Sequence, residues 1–139
     1  TPLNTMAKLV ERHEAKNADV TLGLFRTDAP QKFGMVELDD KGKIVGFVDK
    51  PAETDLELMC GCAAWSPRFT QFMHDYLAAR AIPSHEVVLS DLFSAALAAG
   101  HVFESFQEAN GHYHDIGTPE SFQTAVYDLA RQQISSDLE

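Results

Sequence analysis

"GMVELDDKGKIVGFV", residues 34–48, carries two apolar runs around a polar centre. Valine, isoleucine and phenylalanine suit a pleated, half-buried surface. Between the runs, "DDKGK" (39–43) supplies turn chemistry, with Gly42 free to take a positive φ. The stretch predicts a β-hairpin, which forces antiparallel pairing into whatever sheet it joins. The rest of the chain alternates strands with helices, so the sheet is expected to be mixed and the fold α/β or α+β.

Upstream, "ADVTLGLF" (18–25) is apolar on both faces, as a buried strand requires. Before it, Thr1 and Pro2 open a helix whose apolar side is Met6, Leu9, Val10 and His13. Downstream, "ELMCGCAAW" (57–65) reads as a second apolar strand with small residues in mid-run. Ser66-Pro67 starts a helix with Phe69, Phe72, Met73, Tyr76 and Arg80 on one side, and Ile82-Pro83 ends it. Ser84 or Ser90 caps a third helix carrying Leu89, Leu92, Phe93, Ala96 and Leu97, closed by Gly100. "HVFESFQ" (101–107) is a short strand. "YHDIGTPESF" (113–122) takes a strand end through a turn into a last helix. Thr118 is its N-cap, Pro119 its first residue, and Glu120 meets the positive end of the helix dipole. Phe122, Ala125, Val126, Leu129 and Ala130 share its apolar face, and "QQISSDLE" (132–139) reads as a polar tail. The prediction is one domain over residues 1–139, with three to four helices, a hairpin and a mixed sheet.

Composition narrows the partners. The formal net charge of −10 argues against nucleic acid, which favours a basic face. No apolar run approaches the roughly 20 residues that span a bilayer. The start of the chain reads as an amphipathic helix, not a signal peptide. Two cysteines, Cys60 and Cys62, are too few for a disulfide scaffold and suit a reducing, cytoplasmic setting.

Several residues carry chemistry, each beside a plainer reading. Asp115 sits just before a glycine turn at a strand end, where ligands gather in open α/β sheets; equally, its carboxylate can cap the Gly117 turn. "VDKP" (48–51) leaves Asp49 and Lys50 at the sheet's edge. Lys50 is a compact charge suited to a phosphate and Asp49 can accept from sugar hydroxyls, or the pair simply faces water. Gly34 and Gly61 in apolar strands mark either close approach of a ligand or a bulge. Cys60, Cys62, His112 and His114 could face a metal, but their spacing matches no usual zinc site, and small buried thiols commonly just pack. Neither glycine-rich phosphate loop nor the hydrolase elbow G-x-S-x-G occurs.

In order, "FGMVELDDKGKIVGFVDKP", "MCGCAAWSPRF", "SHEVVLSDLFSAALAAG" and "YHDIGTPESFQTA" resemble the second half of the sugar-1-phosphate nucleotidyltransferases, which include the glucose-1-phosphate thymidylyl- and uridylyltransferases. The resemblance covers about residues 18–126. It implies a partial Rossmann-like α/β/α sandwich, and a reaction joining a sugar 1-phosphate to a nucleoside triphosphate with release of pyrophosphate. It further implies that Lys50 holds the sugar phosphate, Asp49 binds sugar hydroxyls, Gly34 and Gly61 present backbone to the sugar, and Asp115 ligates Mg²⁺. The chain departs from the family pattern in Asp49 for Glu, Tyr113 for Trp, Ser90 for Thr, and Cys62-Ala63 after Gly61. The family's G-G-x-G-T-R-L loop, the lysine after it and a further metal aspartate belong to a first half not found here. The expectation is a C-terminal, sugar-binding half, inactive alone, whose nucleotide-binding half is absent. The alternative is a non-catalytic sugar-phosphate-binding module, or a dimerisation module whose exposed sheet edge invites a second copy.

Overall fold

The computed structural model describes residues 2–80 and 86–137. Strand β1 (Val20–Arg26) is the centre of the molecule, buried at every position before Arg26. It pairs antiparallel with β4 (Leu58–Trp65) on one side and parallel with β5 (Phe103–Gln107) on the other. The hairpin forms as its turn chemistry predicts, from β2 (Gly34–Leu38) and β3 (Ile44–Asp49). Asp39 Oδ1 accepts from the main-chain N–H groups of Lys41 and Lys43 at 2.9 and 2.8 Å, and Gly42 takes φ +76°. One bridge, Met35 to Met59, joins β2 to β4 and completes a mixed sheet of order β3-β2-β4-β1-β5.

Helices cover both faces. Helices α2 (Pro67–Ala78) and α3 (Leu89–Ala98) bury Phe69, Leu92, Phe93 and Ala96 against Val20, Leu22, Leu24 and Phe103. Phe69 is wholly inside, its ring 5.7 Å from Phe93 and 6.5 Å from Phe103. Phe47 of the hairpin reaches the same cluster, 5.3 Å from Phe93. Each such ring removed from water contributes about 1.5–3 kcal/mol. Helix α1 (Pro2–Lys16) lies on the opposite face, where His13 Nδ1 and Thr21 Oγ1 meet at 2.9 Å. Thr5 and Lys8 also hydrogen-bond Glu108, and the Lys8 bond draws that carboxyl below its usual range. Helix α4 (Pro119–Asp137) closes the chain.

At the far end of the sheet, buried Asp19 ties three segments together. Its Oδ2 accepts from Val102 N–H at 2.8 Å, its N–H donates to Val102 O at 2.8 Å, and its carbonyl accepts from Ser66 N–H at 2.9 Å. Arg68 approaches Oδ1 at 3.6 Å and His101 approaches Oδ2 at 3.4 Å.

The structure corrects several expectations. Of the apolar side proposed for α1, Leu9 is buried but Met6 and Val10 are half exposed, because the helix is held to the sheet by polar contacts. Helix α3 starts after Val88, one turn-step before Ser90, and Asp91 Oδ2 accepts from Val88 N–H at 3.4 Å. Ser84 and Ile82-Pro83 lie outside the described residues. Residues 113–116 form no strand. The expected polar tail continues α4 to Asp137. On α4 only Ala125 of the apolar face is buried; Phe122, Val126 and Leu129 stand in solvent. Ser66, Pro67 and Gly100 behave as read: Ser66 Oγ accepts from Phe69 N–H at 3.4 Å, and Gly100 takes φ +86° after α3.

Candidate functional site

The carboxyl end of β1 opens into a cleft of about 990 Å³. Its walls are Arg26, Asp28, Lys32 and Phe33 from the segment after β1, Glu57 and Met59 from the start of β4, Tyr113 to Asp115, and Thr118, Ser121 and Thr124 at the start of α4. Asp115 lines this cleft from a loop, not from the strand end expected of it. Its Oδ1 accepts from Gly117 N–H at 3.0 Å, so the turn-capping reading holds, and a ligand role is compatible with it because a carboxylate has four acceptor sites. Thr118 caps α4 as its sequence predicts, with its Oγ1 accepting from Ser121 N–H at 3.2 Å.

Gly34, Asp49 and Lys50 form one group. Gly34 and Asp49 are register partners across the hairpin, and Lys50 N–H donates to Phe33 O at 3.0 Å, one step beyond the ladder. Lys50 takes φ +43°, a left-handed backbone that costs a side-chain-bearing residue about 1–2 kcal/mol. Such strain collects at functional positions, where the surrounding structure holds it. A Cβ on Gly34 would stand 3.1 Å from Ser90 Oγ and 3.8 Å from Asp49 Oδ1, which places the start of α3 beside the group.

Phe33 connects this group to the cleft. Its carbonyl holds Lys50 and its ring meets Tyr113 edge-on at 5.8 Å, two residues before Asp115. Gly61 lies under the same tyrosine. β1 and β4 slip register there, with Gly23 opposite Cys62 and Leu24 opposite Cys60, so Gly61 is the unpaired residue of a bulge. Its missing side chain leaves room for Phe25 and Tyr113, whose rings are 5.8 Å apart. Gly34, Asp49, Lys50, Gly61 and Asp115 thus connect to Phe33 or Tyr113 through neighbouring residues, but of the five only Asp115 lines the cleft.

Arg26, Asp28, Lys32 and Glu57 were not singled out. Arg26 and Glu57 form an ion pair at the cleft's mouth. The available signal was position: "RTD" (26–28) follows directly on a buried apolar run. Among the described residues no three His, Cys, Asp or Glu side chains gather to hold a metal ion. Burial, with Cys62 beside it, pushes the Cys60 thiol up to about 12, and burial raises Cys62 as well. Both cysteines are free and pack as neutral thiols.

The sequence model described as nucleotidyl transferase matches residues 3–132. The chain belongs to the nucleotidyl transferase family. It is similar to a mannose-1-phosphate guanylyltransferase of Mycobacterium tuberculosis, 32% identical over 130 residues, covering 91% of this chain and 33% of that protein. It is also similar to a glucose-1-phosphate adenylyltransferase of Granulibacter bethesdensis, 27% identical over 151 residues, covering 94% of this chain and 36% of that protein. This nucleotidyl transferase chain therefore spans about a third of the length of the curated relatives it matches. A Bacillus anthracis structure described as a glucose-1-phosphate thymidylyltransferase, in complex with sucrose, shares the fold. Its TM-score is 0.71 at 21% identity, covering 84% of this chain and 45% of that one. The mixed α/β sheet expected from sequence agrees with that architecture.

Proposed function

We propose that these residues form the sugar-phosphate side of a sugar-1-phosphate nucleotidyltransferase, which makes a nucleoside diphosphate sugar and pyrophosphate. In that reaction a phosphate oxygen of the sugar 1-phosphate attacks the α-phosphorus of a nucleoside triphosphate, and the bond to pyrophosphate breaks. Protein groups act mainly by positioning and charge. Lys50 holds the sugar phosphate, Asp49 accepts from sugar hydroxyls, and Gly34 and Gly61 keep backbone accessible beside them. The observation that supports the reading is the Phe33–Tyr113 contact: the Phe33 carbonyl accepts from Lys50 N–H and Tyr113 leads to Asp115, in a chain of this family.

Asp115 is the residue suited to Mg²⁺. Its donor set fits: an exposed carboxylate on the cleft, with Asp28 also among the lining residues, and among the described residues no closed cage of protein ligands. That suits Mg²⁺, which keeps several waters and takes one or two carboxylates plus substrate phosphates. When bound, the ion would neutralise phosphate charge. The 139 residues hold no glycine-rich triphosphate loop, so they are proposed to be inactive alone. Two free thiols suit a cytoplasmic setting, and among the described residues no helix is long and apolar enough to cross a membrane.

Calorimetry with glucose 1-phosphate tests the reading: binding by the chain, lost in Lys50→Ala, supports it, and no binding by folded protein overturns it. Pyrophosphate release by this chain at enzyme-like rates would overturn the claim of inactivity. The uncovered apolar face of α4 favours a second reading, a dimerising module, which strictly monomeric light scattering would refute.

A further inference from the structure

At the opposite end of the sheet from Asp115 lies a second cleft, of about 610 Å³. It is built where the hairpin turn meets the entry to β5. Lys41 and Lys43 come from the turn, Arg12 from α1, and His101, Glu104 and Ser105 from the chain entering and running along β5. In a chain with 21 acidic and 11 basic residues, this cleft gathers three cations against the single carboxylate among its lining residues. Asp39 and Asp40 share the turn, but Asp39 is engaged: its Oδ1 accepts from the N–H groups of Lys41 and Lys43, turning that carboxylate back into the turn.

Arg12 is the informative residue. Its terminal nitrogen donates to Glu104 Oε2 at 3.2 Å, while its Nε–H is buried with no hydrogen-bond partner. The Arg12 side chain as a whole is 41% exposed along the cleft, so its guanidinium keeps donors open to a ligand beside the enclosed and unpartnered Nε–H. Arginine presents its donors as a planar fork matched to oxyanions, and lysines add point charges. Ile44, Leu97 and Phe103 give the cleft an apolar floor, and its size lies in the range of small-molecule sites.

We propose that this cleft is a second anion site, taking the phosphate group of a small organic phosphate, with Arg12, Lys41 and Lys43 as its cations. It is distinct from the Lys50–Asp115 site and does not depend on the function proposed there. Both sites could take phosphate, so the test must report position. Amide chemical shifts of the isotope-labelled chain would be followed during titration with inorganic phosphate, with chloride at matched ionic strength as control.

The expected result is saturable shifts at residues 12, 41–43 and 100–105. The doubly substituted Lys41→Ala, Lys43→Ala chain should bind roughly tenfold more weakly or worse. Both lysines are on an exposed turn, so this variant keeps the fold. Arg12→Lys keeps the charge but loses the planar fork of donors, and should also weaken binding. Shifts confined to residues 26–33, 50 and 113–118, shifts reproduced by chloride, or no shifts would overturn the proposal. So would shifts at the second cleft that all three substitutions leave unchanged.

Discussion

Gly61→Ala tests how the floor of the candidate site is built. A Cβ at this position would stand 2.5 and 2.6 Å from Cδ2 and Cε2 of Phe25, and 3.0 Å from the Tyr113 ring. Tyr113 is partly exposed and can swing outward; Phe25 is buried beside Met35 and Met59 and cannot. Overpacking of this kind costs about 1–3 kcal/mol, and disturbing the Phe25–Tyr113 pair adds about 0.5–1.5 kcal/mol. The expected loss is therefore about 1.5–4.5 kcal/mol. Urea unfolding followed by fluorescence of Trp65, the lone tryptophan, would show the lower midpoint. Gly34→Ala is the contrast: its nearest neighbour is the Ser90 hydroxyl, which can rotate away, so its cost should stay under about 1 kcal/mol. A Gly61→Ala chain within about 0.5 kcal/mol of the parent would refute this account of the bulge, because changes that meet no packing constraint fall in that range.

Asp19→Ala should cost about 3 kcal/mol, chiefly through the orphaned Val102 N–H, with little from the exposed Arg68; thermal unfolding should fall by about 10 °C. Lys50→Gly should raise stability by about 0.5–1 kcal/mol, the relieved left-handed strain less the entropy of glycine, while abolishing sugar phosphate binding; a fall in urea midpoint would exclude the strain. Cys60 should resist alkylation at pH 8 until the chain unfolds, because its thiol is pushed up to about 12. The same raised value means its stability contribution is fully present below about pH 9 and is lost as pH climbs towards 12, which urea midpoints across that window would show.

The parts of the fold legible in sequence were those decided locally. "DDKGK" contains its own turn chemistry, Ser66-Pro67 its own cap, and the run at 18–25 is apolar on both faces whatever lies around it. What sequence could not tell was whether a predicted face finds cover. The period of Phe122, Val126 and Leu129 says which side chains would be buried together, but covering them takes another surface. Residues 113–116 form no strand for a related reason: Tyr113 is held by its ring against Phe25 and Phe33 and makes no ladder, contacts that no local pattern announces. Lys50 and Asp115 stood out as charges at strand ends. Phe33, which brings their neighbourhoods together, looked like one more apolar residue, since a long-range ring contact leaves no local mark. Arg12 was hidden because an unpartnered donor exists only once the chain has folded around it.

Helix α4 gives the cleft one of its walls, through Thr118, Ser121 and Thr124, yet among the described residues no strand or helix packs extensively along it. Its amide protons should therefore exchange with solvent far sooner than those of β1, whose opening requires the whole sheet to come apart. On the proposed function, entry and escape at Asp115 should then follow the fluctuations of α4, on a clock separate from the unfolding of the body.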